Sequence, residues 1–429
     1  MSSLKKLNPR KAQSKHIFGK AARLVNTIFP FKGESTLVES ASTVASSFTQ
    51  RLHAVTTVTT AHKVVTKAMQ SPLYSWENYK VWSVDNVVPA ELRNLLESRL
   101  DAIASGPYKE YDPNTDGKVQ VLIHPSMYPY IEGISYIPDQ SALPSRMRVR
   151  RVRESNKYQW LPAQFYVAKD GSASIKSYIN NLDLSNRDLY RAIGSIFEYF
   201  LPMFEKLLGK RLRSRELQVI VKAVNYVIQP GSKTYAGNWH VEGMDYEHIV
   251  ASGIYYYSIS PHLIDNGLEF RSQNLPLDEP LNKAETVEGR LIAFCNSLQH
   301  KVSGITNNST EVGTRKILAF FLINPEVEII STKHVPEQQW DAIRPRILEA
   351  LDDAVMKIMG RSMPMEILLQ IMEWAKTGFT LKEAHQHRRA LLEERRYRYR
   401  TDLHFNLIPV ILIKYTHVLL IGILTLRYI

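Results

Sequence analysis

From residue 216 to 330 the chain is written in short apolar runs, among them LQVIVKAVNYVI, HIVASGIYYY, GRLIAFCN and RKILAFFLI, separated by turn residues. Runs of this length, rich in β-branched and aromatic side chains, read as strands. Several of them at close spacing restrict this stretch to an all-β sandwich or barrel. Its flanks are patterned differently. Pro89–Leu100 carries Leu92, Leu95, Leu96 and Leu100 at helical spacing. The turn cluster Asp112–Gly117 precedes Val119, Val121 and Ile123, which alternate as a strand does. Ser185 is expected to cap a helix with Asp188 in its first turn and Leu189, Ile193, Ile196, Phe197 and Phe200 as its apolar stripe. Helical patterning returns after Pro336 in three segments, the last headed by a Thr380…Glu383 capping box. The fold class expected is therefore α+β. The chain divides into a basic, Ser/Thr-rich, disordered arm (1–69), an N-terminal α/β part packing on the core (70–215) and the β core (216–335). C-terminal helices (336–402) and a hydrophobic tail (403–429) follow.

The net charge of +12 suggests nucleic acid until it is located. Residues 1–70 hold eleven Lys or Arg against Glu34 and Glu39, so +9 of it sits in the arm and the remainder is close to neutral. A basic terminal arm is not a basic domain face, and no strong nucleic-acid signal results. Twelve Ser or Thr in residues 35–60 give the arm a second reading, a mitochondrial transit peptide. The single cysteine, Cys295, excludes an intramolecular disulfide and a multi-cysteine zinc module. It fits an intracellular compartment, cytoplasm or nucleus. Leu407–Leu426 is long enough to span a bilayer, but Lys414 and His417 lie at its centre. A tail anchor and a buried or aberrant C-terminus both stay open, and any membrane partner would have to act through this tail. The run SRMRVRRVR (145–153) reads as a solvated loop or edge strand, with an anionic partner as its functional alternative.

The chemistry concentrates in GNWHVEGMDYEHIVASGIYYY, residues 237–257. In an extended segment His240 and Glu242 project to the same side. They form either half of a metal site or a buried hydrogen-bonded pair. A third ligand has to come from another strand. His300, after GRLIAFCNSLQ, is the best placed of the remaining histidines, expected at a strand end, whereas His248 and His262 suit structural or surface roles. Two histidines and one carboxylate leave coordination positions open, which suits non-haem Fe(II) oxygen chemistry. Fifteen positions further, Arg315 opens the apolar strand RKILAFFLI. An arginine facing into an apolar barrel requires an anion: the far carboxylate of an α-keto dicarboxylate would satisfy it, and so would a plain salt bridge to Glu242, Glu269 or Glu311. Tyr226, Asn225 and Lys222, on the strand before His240, could line the same site or serve packing or surface roles.

Taken together, HVEG…QHKV…GTRKILAFFLINP resembles the His-x-Asp/Glu…His…Arg pattern of the Fe(II)- and 2-oxoglutarate-dependent oxygenases. The phrases LIHPSMYP, WLPAQFYVAKDGSASIKSYINNLD, GNWHVEGMDYEHIVASGIYYY and GRLIAFCNSLQHKVSGI are also similar to those of a large, mainly fungal family sharing this pattern. The resemblance covers roughly residues 70–340. It implies a double-stranded β-helix, the jelly-roll architecture also used by cupins. It further implies His240, Glu242 and His300 as catalytic iron ligands, Arg315 as the anchor of 2-oxoglutarate, and a substrate not legible in the sequence. A retained carboxylate at Glu242 separates the chain from the halogenase variant of that group. Two other functions stay open: a cupin-like enzyme with a different divalent metal, and a non-catalytic binding module presenting the helices at 337–400.

Overall fold

The computed structural model describes residues 61–76, 79–113, 115–144, 157–272 and 282–396. Residues 1–60, the arginine run at 145–153 and the tail at 403–429 lie outside the described residues, as do the expectations attached to them. Among the described residues no helix is long and apolar enough to cross a membrane.

Strand alternation builds two layers. Twelve strands matter for the site: β1 (Tyr79–Asp85), β2 (Val119–Ile123), β3 (Ala163–Val167), β4 (Arg215–Ile228), β5 (Ile249–Ile259), β6 (Leu263–Asp265), β7 (Leu268–Ser272), β8 (Asn282–Ala284), β9 (Arg290–Cys295), β10 (Leu298–Val302), β11 (Ile305–Asn307) and β12 (Gly313–Ile323). The large sheet runs in the order β1-β9-β5-β12-β4, with β2 and β3 each paired to a different half of β4. The facing sheet consists of β8-β7-β10 and β6-β11, extended by bridges from Tyr235 to Ile305 and from His240 to His300. All these pairings between strands are antiparallel. From β4 onward the chain passes back and forth between the two sheets, which is the winding of a double-stranded β-helix.

Period-2 alternation decides which side chain faces which layer. On β12, Ile317, Ala319 and Phe321 point between the sheets, where they meet Ile254, Tyr256, Ile292 and Phe294 and, from the facing sheet, Leu268, Phe270, Leu298 and Val302. The intervening Leu318, Phe320 and Leu322 point outward into a second core. There α1 (Ala90–Ala104) and α2 (Arg187–Leu208) cover the large sheet. Phe197 and Phe200 of α2 each place their ring centroids 5.3 Å from that of Phe320. Burying a side chain of this size stabilises the fold by about 1.5–3 kcal/mol, so these outward aromatics fix the helix layer. Gly253 permits the contact: a Cβ there would lie 2.6 Å from the Phe200 ring.

Three boundaries differ from the sequence reading. The helical stretch at 61–68 buries Ala61 and Val65, one turn apart, in the helix-side core, so these residues do not belong to a disordered arm. β1, β2 and β3 are strands of the large sheet itself, so the segment 70–215 does not merely pack on the core. Ser185 does not cap α2: the N-cap is Asn186, and the Ser185 N–H donates to Asp183 Oδ1 in the turn before it. C-terminal to the barrel come α3 (Trp340–Met359), α4 (Met365–Trp374) and α5 (381–396). The capping box at the head of α5 is formed reciprocally, with Thr380 N–H donating to Glu383 Oε2 and Glu383 N–H to Thr380 Oγ1.

Candidate metal centre

The backbone brings His240 and His300 together before any side chain does. The two residues exchange both N–H···O bonds across an isolated bridge, at 3.1 and 2.9 Å, so their rings lie side by side with centroids 4.4 Å apart. His300 sits in the middle of β10, not at a strand end. The chain leaves the sheet immediately after His240, so Glu242 reaches the histidines from a turn and not by strand alternation. Asn296, following β9, holds that turn: its Oδ1 accepts from Glu242 N–H and its Nδ2 donates to Glu242 O. Gly243 makes the turn possible. Its φ of +70° suits glycine, and a Cβ would meet Ile249 Cδ1 at 2.6 Å.

His240 Nε2 and His300 Nε2 each lie 3.6 Å from Glu242 Oε1. That is too long for a good hydrogen bond. Two donors each about 2.1 Å from a shared divalent ion would be separated by roughly 3–3.5 Å, close to what is seen. The ligand atoms of all three residues lie within 4.8 Å of one another. His240 Nδ1 sits 2.7 Å from the Asn238 carbonyl, an arrangement in which Nδ1–H donates and Nε2 keeps its lone pair toward the centre. Burial, reinforced by the neighbouring His240, lowers the His300 pKa and favours the neutral ligand form, with Glu242 opposing. Burial alone would raise the Glu242 pKa; Lys222, and then the two histidines, outweigh it and hold the carboxylate well below its usual range. These donors fit a divalent transition metal. The His240 side chain is 42% exposed against 9% for Glu242 and 4% for His300, so the centre opens on the His240 side.

α5 closes the adjoining end of the barrel. Ala384 and Leu391 join the core between the sheets. Arg395 reaches Glu247, five residues after Glu242, at 2.5 Å and lies over the Trp160 ring at 4.0 Å; Trp160 in turn stacks on Phe321. The buried Arg388 bridges Glu110 at 2.6 Å and Asp112 at 2.7 Å. Glu247 also accepts from the Trp160 and Met244 N–H groups, which ties the metal-side turn to the barrel end.

Toward the other end of β12 the structure places Arg315, 2% exposed and facing between the sheets. Its guanidinium lies 4.1 Å over the Tyr226 ring, and Tyr226 is its register partner on β4. Nη1 is engaged by Asp265 Oδ2 at 2.7 Å, an acid on β6 that sequence reasoning missed, whereas Nε is buried without a partner. Arg315 is thus already charge-neutralised, with part of its fork unspent. Asn225 does not belong to this group. Adjacent strand residues face opposite ways, and Asn225 turns to the helix side, near Gln120 Nε2–Oε1 amide and the Tyr257 hydroxyl. Trp239 is half-buried between Arg271 and Lys301, 4.5 and 4.8 Å from its ring centroid.

A family model described as "Protein of unknown function (DUF4246)" matches residues 53–216, 208–286 and 279–346. No curated protein matches the chain. Solved structures similar to it include IDO from Bacillus thuringiensis, at 11% identity over 62% of this chain and 95% of that one, with a TM-score of 0.31. A Pseudomonas putida prolyl-4-hydroxylase aligns at 14% identity over 62% and 98%, TM-score 0.29. An oxidoreductase of the 2OG-Fe(II) oxygenase family from Burkholderia pseudomallei aligns at 11% over 58% and 88%, TM-score 0.31. The strand order and the antiparallel pairing of the two sheets are those of a double-stranded β-helix.

Proposed function

We propose that this chain, which belongs to the DUF4246 family, is an Fe(II)- and 2-oxoglutarate-dependent oxygenase of the hydroxylase or demethylase type. One observation carries the reading: His240, Glu242 and His300 converge at one end of a β-helix whose interior also presents Lys222 and Arg315. Charge supports it. Glu242 and Lys222 cancel, Arg315 and Asp265 cancel, and a divalent metal would leave the interior at +2, the charge that a 2-oxoglutarate dianion neutralises.

Within this reading the chain's own residues do three things. His240, Glu242 and His300 would hold the iron and leave coordination positions for other ligands. Arg315, stacked on Tyr226, offers its unspent fork to a carboxylate at the far end. α5 and Trp160 cover the barrel end beside the centre, which stays open on the His240 side. Iron and 2-oxoglutarate would supply the oxidation, with the keto acid decarboxylated to succinate as O₂ gives one oxygen atom to it and one to the substrate. The arginine run at 145–153 keeps an anionic substrate as an expectation.

The test is succinate formation from 2-oxoglutarate by the Fe(II)-loaded protein in air, absent in His300→Ala. The Arg315–Asp265 pair favours one second reading, a cupin-like metalloenzyme that takes no keto acid. That reading predicts metal binding with no succinate.

A further inference from the structure

The barrel wall opposite the triad carries a lysine that the three metal ligands do not account for. Lys222 lies on β4 with Ile220 and Val224, residues of the inter-sheet core, on its own side of the strand. Its register partner is Ala319, and Ala319 pairs with Ile254, so Lys222 rises from an otherwise apolar stretch of the large sheet. Among the described residues no hydrogen bond or ion pair engages Lys222. The cation at the far end differs, since Arg315 already holds Asp265. The fold sets His124 beside it. Ile123 is opposite Ala223, so the next residue along β2 comes level with Lys222. His124 is 5% exposed, and its Nδ1 accepts from Ser126 N–H, which leaves the proton on Nε2. No described residue accepts from that Nε2–H. An ammonium and an imidazole N–H come level with each other on the inter-sheet side of the barrel wall, Lys222 half-buried and His124 buried, and neither is spent on a described acceptor. Glu242, the acid that bears most on Lys222, is the residue a metal would claim; metal binding therefore weakens the counter-charge that Lys222 feels.

We propose that Lys222 and His124 form an anion-binding pair that takes a carboxylate beside the His240–Glu242–His300 triad. The inference rests on the oxygenase reading for its metal but not for its donors. The carboxylate has two sources, the keto acid or an acid group on the substrate. Arg315 remains the anchor at the far end, so the pair and Arg315 grip opposite ends of what the barrel holds.

The experiment uses full-length protein loaded with Mn(II), which keeps the centre redox-silent. The first arm measures the Kd of 2-oxoglutarate by calorimetry for wild type, Lys222→Met and Lys222→Arg. The second saturates each protein with 2-oxoglutarate and follows the rise in melting temperature caused by succinate as a carboxylate probe. Tenfold or greater weakening in the first arm for Lys222→Met, with Lys222→Arg recovering most of it, assigns the pair to the keto acid. An unchanged Kd with the succinate response lost in Lys222→Met assigns it to the substrate. Unchanged behaviour in both arms overturns the proposal, while a wild type that binds no keto acid overturns the oxygenase reading instead. Should Lys222→Met fail to fold, wild type decides. Acetylation of Lys222 by an amine-reactive ester, read by mass spectrometry, should slow at least severalfold with saturating 2-oxoglutarate or with added succinate, and equal labelling under all conditions overturns the proposal.

Discussion

Glu198 shows how one side chain can set the pH response of the whole fold. It lies in α2, 9% exposed, where burial pushes its carboxyl pKa up to about 7 against an ordinary value of 4.5, while the Ala173 N–H donating to it works the other way. Between those two values the folded protein holds a proton that the unfolded chain has released. Its contribution is therefore complete below the unfolded pKa and declines as pH rises through the folded one, by on the order of 3 kcal/mol in all. Glu198→Gln keeps the acceptor for Ala173 and removes the charge, so its stability relative to the parent should rise across this window and exceed the parent's at pH 8. Urea unfolding at pH 5 and pH 8 checks this; parallel pH profiles for parent and variant would count against it. Tyr226 and Asn225 are neighbours on one strand, so period-2 alternation alone could have placed only one of them beside Arg315. Asp265 was beyond reach, because a three-residue strand finds its partner fifty positions away through a pairing that only the folded barrel creates.

At the scale of elements, α2 lies on the large sheet over Gly253. Gly253→Ala would drive a methyl group into Phe200 and Phe204 and should destabilise by about 1–3 kcal/mol, as overpacking does. A midpoint in urea unchanged from wild type would mean that the helix layer is looser than described. α5 gives the complementary case. Arg388→Met leaves Glu110 and Asp112 facing a neutral side chain. These acids retain 22% and 30% side-chain exposure, so the cost should fall below the about 3–5 kcal/mol of a fully buried pair, near 2 kcal/mol, read from the same titration. The elements themselves were legible where local pattern and tertiary need coincide: the strands from 216 to 330, the stripe of α2 and the capping box of α5. They were less legible where burial overrode composition, as at 61–68, whose Ser/Thr-rich approach hides a two-residue apolar anchor.

For the molecule as a whole, the winding of the β-helix explains why sixty residues of sequence separate ligands that share one point. His240 and His300 pair only once the winding between the two sheets brings β10 back beside the segment after β4, so metal affinity should report folding. A divalent ion at a hundredfold excess over its Kd should stabilise the fold by about 2.7 kcal/mol, seen as a raised melting temperature that disappears in His300→Ala. The most direct measurement of the central claim is an anaerobic titration with Fe(II) and then 2-oxoglutarate, following the visible charge-transfer absorption of an iron-bound keto acid. The account predicts a band that is absent in His240→Ala and weakened in Arg315→Ala. Folded, iron-loaded protein that gives no such band at saturating 2-oxoglutarate would contradict it.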